Sequence, residues 1–154
     1  MASKRSTRPG VHPGTTWLLN CAADPVACQH AWTIAQPAPI MIGSCWAVVE
    51  APLVETVRVL SRLARDRRGP VLAHSEAQLA WWLVPTDVDD AVEDIPQLNV
   101  LTSRRDLLCP PVDRALESRF WLELPDGSGR LTDPAVLGAA FGPAAPLLSA
   151  QACS

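Results

Sequence analysis

No stretch of this 154-residue chain stays apolar for long. A helix that crosses a bilayer needs about 20 consecutive apolar residues, so the sequence gives no expectation of a membrane span. The first 14 residues are polar, basic and rich in proline and glycine, without the apolar centre of a secretory signal. Lysine is nearly missing, with one residue against twelve arginines, and 16 acidic residues leave a net charge of −3. This balance excludes a uniformly basic coat for nucleic acid but permits a local basic face. The five cysteines, at 21, 28, 45, 109 and 153, never form the closely paired knuckles of a structural zinc site. An odd number without a signal segment predicts reduced thiols in the cytoplasm, not a disulfide frame.

What remains is ordinary globular composition, 48% hydrophobic and 19% charged, at a length that supports one domain. Residues 1–14 and 143–154 read as tails around a domain over 15–142. A first helix is expected over Thr16–Ala23. A second opens at Asp24-Pro25, with Asp as N-cap and Pro as first helical residue, and stops at Gln36-Pro-Ala-Pro39. Ala47-Val-Val49 reads as a buried strand. Pro52 opens the clearest helix, whose expected apolar stripe is Leu53, Val57, Leu60 and Ala64 and whose end is near Arg67-Arg68-Gly69. Strands follow at Pro70–Ala73 and Gln78–Val84, then a short acidic helical connection over Thr86–Asp94. Further strands are expected at Leu98–Leu101, Asp106–Cys109 and Arg119–Leu124, with a turn at Ser103-Arg104-Arg105. Asp126-Gly-Ser-Gly129 is a turn, and Asp133-Pro134 starts a last helix to Phe141. The fold class is therefore α+β, with a β-α-β-β centre over about 46–84 and helices at both ends.

Four local segments, in this order, resemble the N-terminal domain of bifunctional DNA primase/polymerases, the prim-pol branch of the archaeo-eukaryotic primase superfamily. They are Trp17-Leu-Leu with Asp24-Pro25 and Trp32; Ile42-Gly-Ser-Cys-Trp-Ala-Val-Val-Glu-Ala-Pro52; Gly69-Pro-Val-Leu with Leu79-Ala-Trp-Trp-Leu-Val-Pro85; and Cys109-Pro-Pro-Val with Arg119-Phe-Trp-Leu. The likeness covers roughly residues 15–142 and is nearest to short stand-alone relatives from GC-rich bacteria. It implies an RRM-like catalytic unit. It also implies an Asp-x-Asp pair at the end of the first strand, where two carboxylates supply the hard oxygen ligands that Mg²⁺ or Mn²⁺ needs. In this chain that place reads Val49-Glu50-Ala51. The His that the family's second motif places just before its aromatic strand residues is replaced by Leu79 and Ala80, with His74 several residues too early, and the Ser after the diproline by Val112. Together these departures predict a catalytically degenerate domain that binds nucleotide or single-stranded DNA, or regulates a protein partner. No cofactor is expected, Mg²⁺ or Mn²⁺ entering only if a rearranged site stays active.

The candidate residues each carry a plainer reading. Glu50, His74 and Asp87 could form a rearranged catalytic set. Glu50 could equally cap the helix after Pro52, and His74 has no sequence neighbour to orient it. Asp87-Val-Asp89-Asp90 is the chain's literal Asp-x-Asp, yet it opens an acidic stretch where carboxylates serve as helix caps. Arg58, Arg62 and Arg65 recur at helical spacing and could meet phosphates, or form a solvated face. Trp81 and Trp82 point to opposite sides of a strand, so one is core and the other, Trp82, is the candidate platform for a base. Cys21, Cys28, His30 and Cys45 lack zinc spacing, and Cys109 lacks a partner for nucleophilic catalysis.

Overall fold

The structure, a computed structural model, describes residues 12–88, 92–102 and 105–142. Residues 1–11 of the expected 1–14 tail, the tail over 143–154, residues 89–91 and the Ser103-Arg104 corner lie outside the described residues. Four helices and two antiparallel sheets are present among those described: α1 (Pro13–Asn20), α2 (Pro25–Thr33), β1 (Ala38–Met41), β2 (Ala47–Pro52), α3 (Leu53–Leu60), β3 (Val71–His74), β4 (Leu79–Val84), β5 (Asn99–Leu101), β6 (Asp106–Cys109), β7 (Arg119–Glu123) and α4 (Pro134–Phe141). The class is α+β, as the sequence predicts.

The larger sheet has the order β5-β2-β4-β3-β7, and a two-stranded ribbon pairs β1 with β6. Because β4 is antiparallel to both β2 and β3, β2 and β3 run parallel with β4 between them. The β2-α3-β3 crossover followed by β4 is thus a split β-α-β unit. Side chains alternate across this sheet. Val49, Ala51, Val71, Ala80, Trp82 and Val84 pack on one face beneath α3 and α4. Val48, Leu72, Trp81, Leu83 and Trp121 pack on the other, beneath α1, α2 and the ribbon.

Several boundaries differ from expectation for identifiable reasons. Helix α1 starts at Pro13, inside the segment assigned to the tail, because His12 accepts from the Gly14 amide at 2.9 Å and Pro13 occupies the first helical position. It stops at Asn20 instead of continuing to Ala23. Gly14 is required by a close approach: a Cβ there would collide with the Pro125 carbonyl. Strand β1 was hidden by its prolines, yet Pro39 sits on a strand with only one partner, where a missing N–H is tolerated. Helix α3 ends at Leu60, not near Arg68. The Arg68 guanidinium folds back and donates to the Leu60 and Leu63 carbonyls at 2.6 and 2.8 Å, closing the helix end. Its buried face is Thr56, Val59 and Leu60, while Val54 and Val57 face outward.

The Cys109-Pro-Pro111 corner is held by two indoles. Trp32 Nε1 donates to the Cys109 carbonyl at 2.9 Å and Trp121 Nε1 to the Pro110 carbonyl at 3.1 Å. A diproline has no N–H to offer, and the corner is secured instead through the Pro110 carbonyl and the Cys109 carbonyl before it.

Candidate functional site

Strand β2 presents Ala51 to the α3 side and Glu50 to the opposite side. Pairing sets Glu50 across from Trp81 on β4 and from Asn99 on β5. The Trp81 Nε1 donates to Glu50 Oε2 at 3.0 Å. On β3, His74 pairs with Arg119 of β7. Their side chains converge on the same indole: the His74 ring is stacked with Trp81 at 6.1 Å between centroids, and the Arg119 guanidinium lies 5.1 Å from the Trp81 centroid. Glu50, His74 and Arg119 are half-buried, whereas Trp81 is buried beneath them.

This arrangement sets one carboxylate, one imidazole and one guanidinium at a partly open end of the sheet. Arg119 is anchored by donation from Nη1 to the Leu108 carbonyl at 3.0 Å. Burial draws its guanidinium below the ordinary value, with Cys109 and Glu117 acting in the opposite sense. A cation over an indole is stabilised by about 0.5 to 2 kcal/mol according to its desolvation, so Trp81 serves to place Arg119.

Two adjoining turns carry unusual backbone. Gln78 (φ 59°), Glu117 (φ 51°) and Ser118 (φ 67°) are left-handed without being glycine. Leu116 and Arg119 exchange both backbone hydrogen bonds around Glu117-Ser118, giving a two-residue hairpin turn with the φ signature of type I′. The Ser75 amide donates to the Ser118 carbonyl at 2.9 Å, tying this turn to the β3–β4 turn. Left-handed residues thus immediately precede Arg119 and close the turn that leads from His74 into β4.

Among the sequence-derived candidates, Glu50 and His74 are brought together, and Asp87 is not. Asp87 is exposed, past the other end of β4 from the Trp81 cluster. The cation row does not form a single helical face. Only Arg58 is on α3; Arg62 follows in a turn and Arg65 opens a 3₁₀ turn over Arg65–Arg67. All three are exposed, and α3 covers the sheet face away from Glu50. The assignment of Trp82 to base stacking is corrected: it is fully buried, donates Nε1 to Thr56 Oγ1 at 3.1 Å and meets Phe141 edge-on at 5.9 Å. Arg119 and the role of Trp81 were missed. The Arg119-Phe-Trp strand was recognised as a segment, but strand pairing alone brings it to His74.

Cys21, Cys28 and Cys109 are buried and serve as packing residues. Burial pushes the Cys21 thiol up to about 12 and raises Cys28 and Cys109 as well. His30 and Cys45 are exposed, and among the described residues no group of three His, Cys, Asp or Glu side chains could hold a metal ion. Nor is any described helix long and apolar enough to cross a membrane.

No family model, curated protein or solved structure matches this chain.

Proposed function

We propose that this protein is a catalytically degenerate relative of the DNA primase/polymerase domain that binds a nucleotide or single-stranded DNA without extending it. The observation that carries this reading is the convergence of Glu50, His74 and Arg119 on Trp81 at the end of β2, β3 and β7. It lies where the resemblance locates chemistry, on a split β-α-β unit, and holds a single carboxylate. That carboxylate is already an acceptor for the Trp81 indole. Two-metal nucleotidyl transfer needs paired hard ligands, and Asp87, beyond the far end of β4, is not beside Glu50 to supply the second. A guanidinium and an imidazole beside an open strand end are suited instead to a phosphate.

Fluorescence anisotropy with a labelled oligodeoxythymidylate across a salt series tests the reading. Binding at low salt should weaken as salt rises, with a log–log slope of about −0.7 for each phosphate engaged. Arg119→Gln should reduce affinity by about tenfold, while Arg58→Ala with Arg62→Ala should not, because those residues lie behind the other face. Primer synthesis with Mg²⁺ or Mn²⁺ that Glu50→Ala abolished would overturn the degenerate reading. Absence of both oligonucleotide and nucleoside triphosphate binding at low salt would overturn the binding function.

A further inference from the structure

At the opposite end of β3 and β7 from the Trp81 cluster, a cleft of about 280 Å³ opens between the Arg65–Gly69 turn and the strand β7 exit. Three arginines line it, Arg65, Arg68 and Arg130, against two carboxylates, Glu123 and Asp126. Both carboxylates have partners in or beside the cleft. Asp126 accepts from both the amide and the hydroxyl of Ser128, at 2.9 and 2.6 Å, and these bonds hold its pKa below the ordinary value. Glu123 lies 3.6 Å from Arg68.

Arg68 is itself fixed by the carbonyls of Leu60 and Leu63. Its role is structural, and Glu123 offsets its charge within the cleft. Arg65 and Arg130 differ: neither guanidinium has a hydrogen bond or a close ion pair among the described residues, although the charge of Arg130 acts on Asp126 across the cleft. They approach the cleft from two separate segments, the 3₁₀ turn and the loop before α4, both close to the Gly69–Thr132 contact. There the Gly69 amide donates to Thr132 Oγ1 at 2.8 Å, and a Cβ on Gly69 would press on the Leu131–Thr132 backbone. The segments bearing the two guanidiniums are thus locked side by side. The remaining wall is apolar, from Pro70, Leu122 and the 46%-exposed Leu124.

We infer that this cleft binds a phosphate monoester carried on an apolar or aromatic body, Arg65 and Arg130 gripping the phosphate and Leu122 with Leu124 contacting the body. Two planar donor forks around one phosphate give charge-assisted, paired hydrogen bonds that a single surface arginine does not. The apolar wall distinguishes an ester from free phosphate, because inorganic phosphate has nothing to bury there. The site is separate from the Trp81 cluster and does not depend on the function proposed for it.

Isothermal titration with adenosine 5′-monophosphate, inorganic phosphate and adenosine tests the inference. The monophosphate should bind most tightly, inorganic phosphate more weakly and adenosine not measurably. Measured in an Arg119→Gln background, so that nucleotide held at the Trp81 cluster does not contribute, Arg65→Ala with Arg130→Ala should weaken monophosphate binding by about tenfold or more, and Arg58→Ala, outside the cleft, should leave it unchanged. Among the described residues neither altered side chain makes a hydrogen bond, and the Arg130–Asp126 attraction acts at long range, so a melting curve close to that of the unaltered protein is expected. Lack of monophosphate binding, equal binding of phosphate and monophosphate, or full retention of affinity in the double variant would each overturn the assignment. Loss in Arg119→Gln alone would transfer the binding to the Trp81 cluster and overturn it equally.

Discussion

Trp81 and Trp82 are adjacent in sequence and opposite in consequence. One lies under Glu50, His74 and Arg119; the other is sealed beneath α3, with its indole N–H satisfied by a buried threonine. Alternation along a strand makes one of the pair internal, but it does not say which. On the buried side Thr56 supplies a hydroxyl that accepts from the Trp82 indole, so its N–H is satisfied there. The apolar stripe drawn through Val57 ignored this polar residue, and α3 is rotated so that Thr56 faces inward. Thr56→Val should therefore destabilise the protein although it replaces a hydroxyl by a methyl of similar size. It leaves Trp82 Nε1 buried without a partner, at a cost of about 1 to 3 kcal/mol. Urea denaturation measures this directly, and an unchanged midpoint would show that the bond has no net value. Glu50 and His74 were legible because a polar residue at the end of an apolar strand stands out. Arg119 was not, since β3–β7 pairing joins residues far apart in sequence and no local pattern encodes it.

At the scale of elements, capping chemistry was the most readable signal. Asp24-Pro25 and Asp133-Pro134 open α2 and α4 as expected, each Asp accepting an amide of the first turn, at 3.1 and 2.9 Å. Helix α3 was overextended because its end is set by Arg68 folding back from beyond it, which periodicity does not register. The Glu117-Ser118 turn was equally obscure: hairpins with two left-handed residues usually advertise themselves as Asn-Gly, and this one does not. Holding non-glycine residues there costs roughly 1 to 2 kcal/mol each, and the β3–β4 turn helps impose it through Ser75. Glu117→Asn with Ser118→Gly should raise stability by about 1 kcal/mol after the greater chain entropy of glycine is deducted. A higher urea midpoint with unchanged slope is the expected result. Lower oligonucleotide affinity in the same variant would tie the strain to the position of Arg119.

For the molecule as a whole, the two sheets differ in how well they are enclosed. Strands β2 and β4 have neighbours on both edges and packed side chains on both faces. The β1–β6 ribbon has one partner per strand and an outer face of Pro39, Met41, Asp106 and Leu108 that is exposed. Opening free energy follows such differences in burial and hydrogen-bond shielding. In hydrogen exchange read by mass spectrometry, residues 79–84 and 47–52 should exchange most slowly. Residues 38–41 and 106–109 should exchange earlier, through openings that leave the large sheet intact. The candidate site spans this seam, because Arg119 belongs to β7 of the large sheet and donates to Leu108 of the ribbon. An oligonucleotide bound at Arg119 should therefore slow exchange in 106–109 more than in 79–84, where protection is already near its ceiling. Equal protection of ribbon and central strands in the free protein would contradict this ranking. Oligonucleotide binding that left 106–109 untouched would place the ligand away from Arg119.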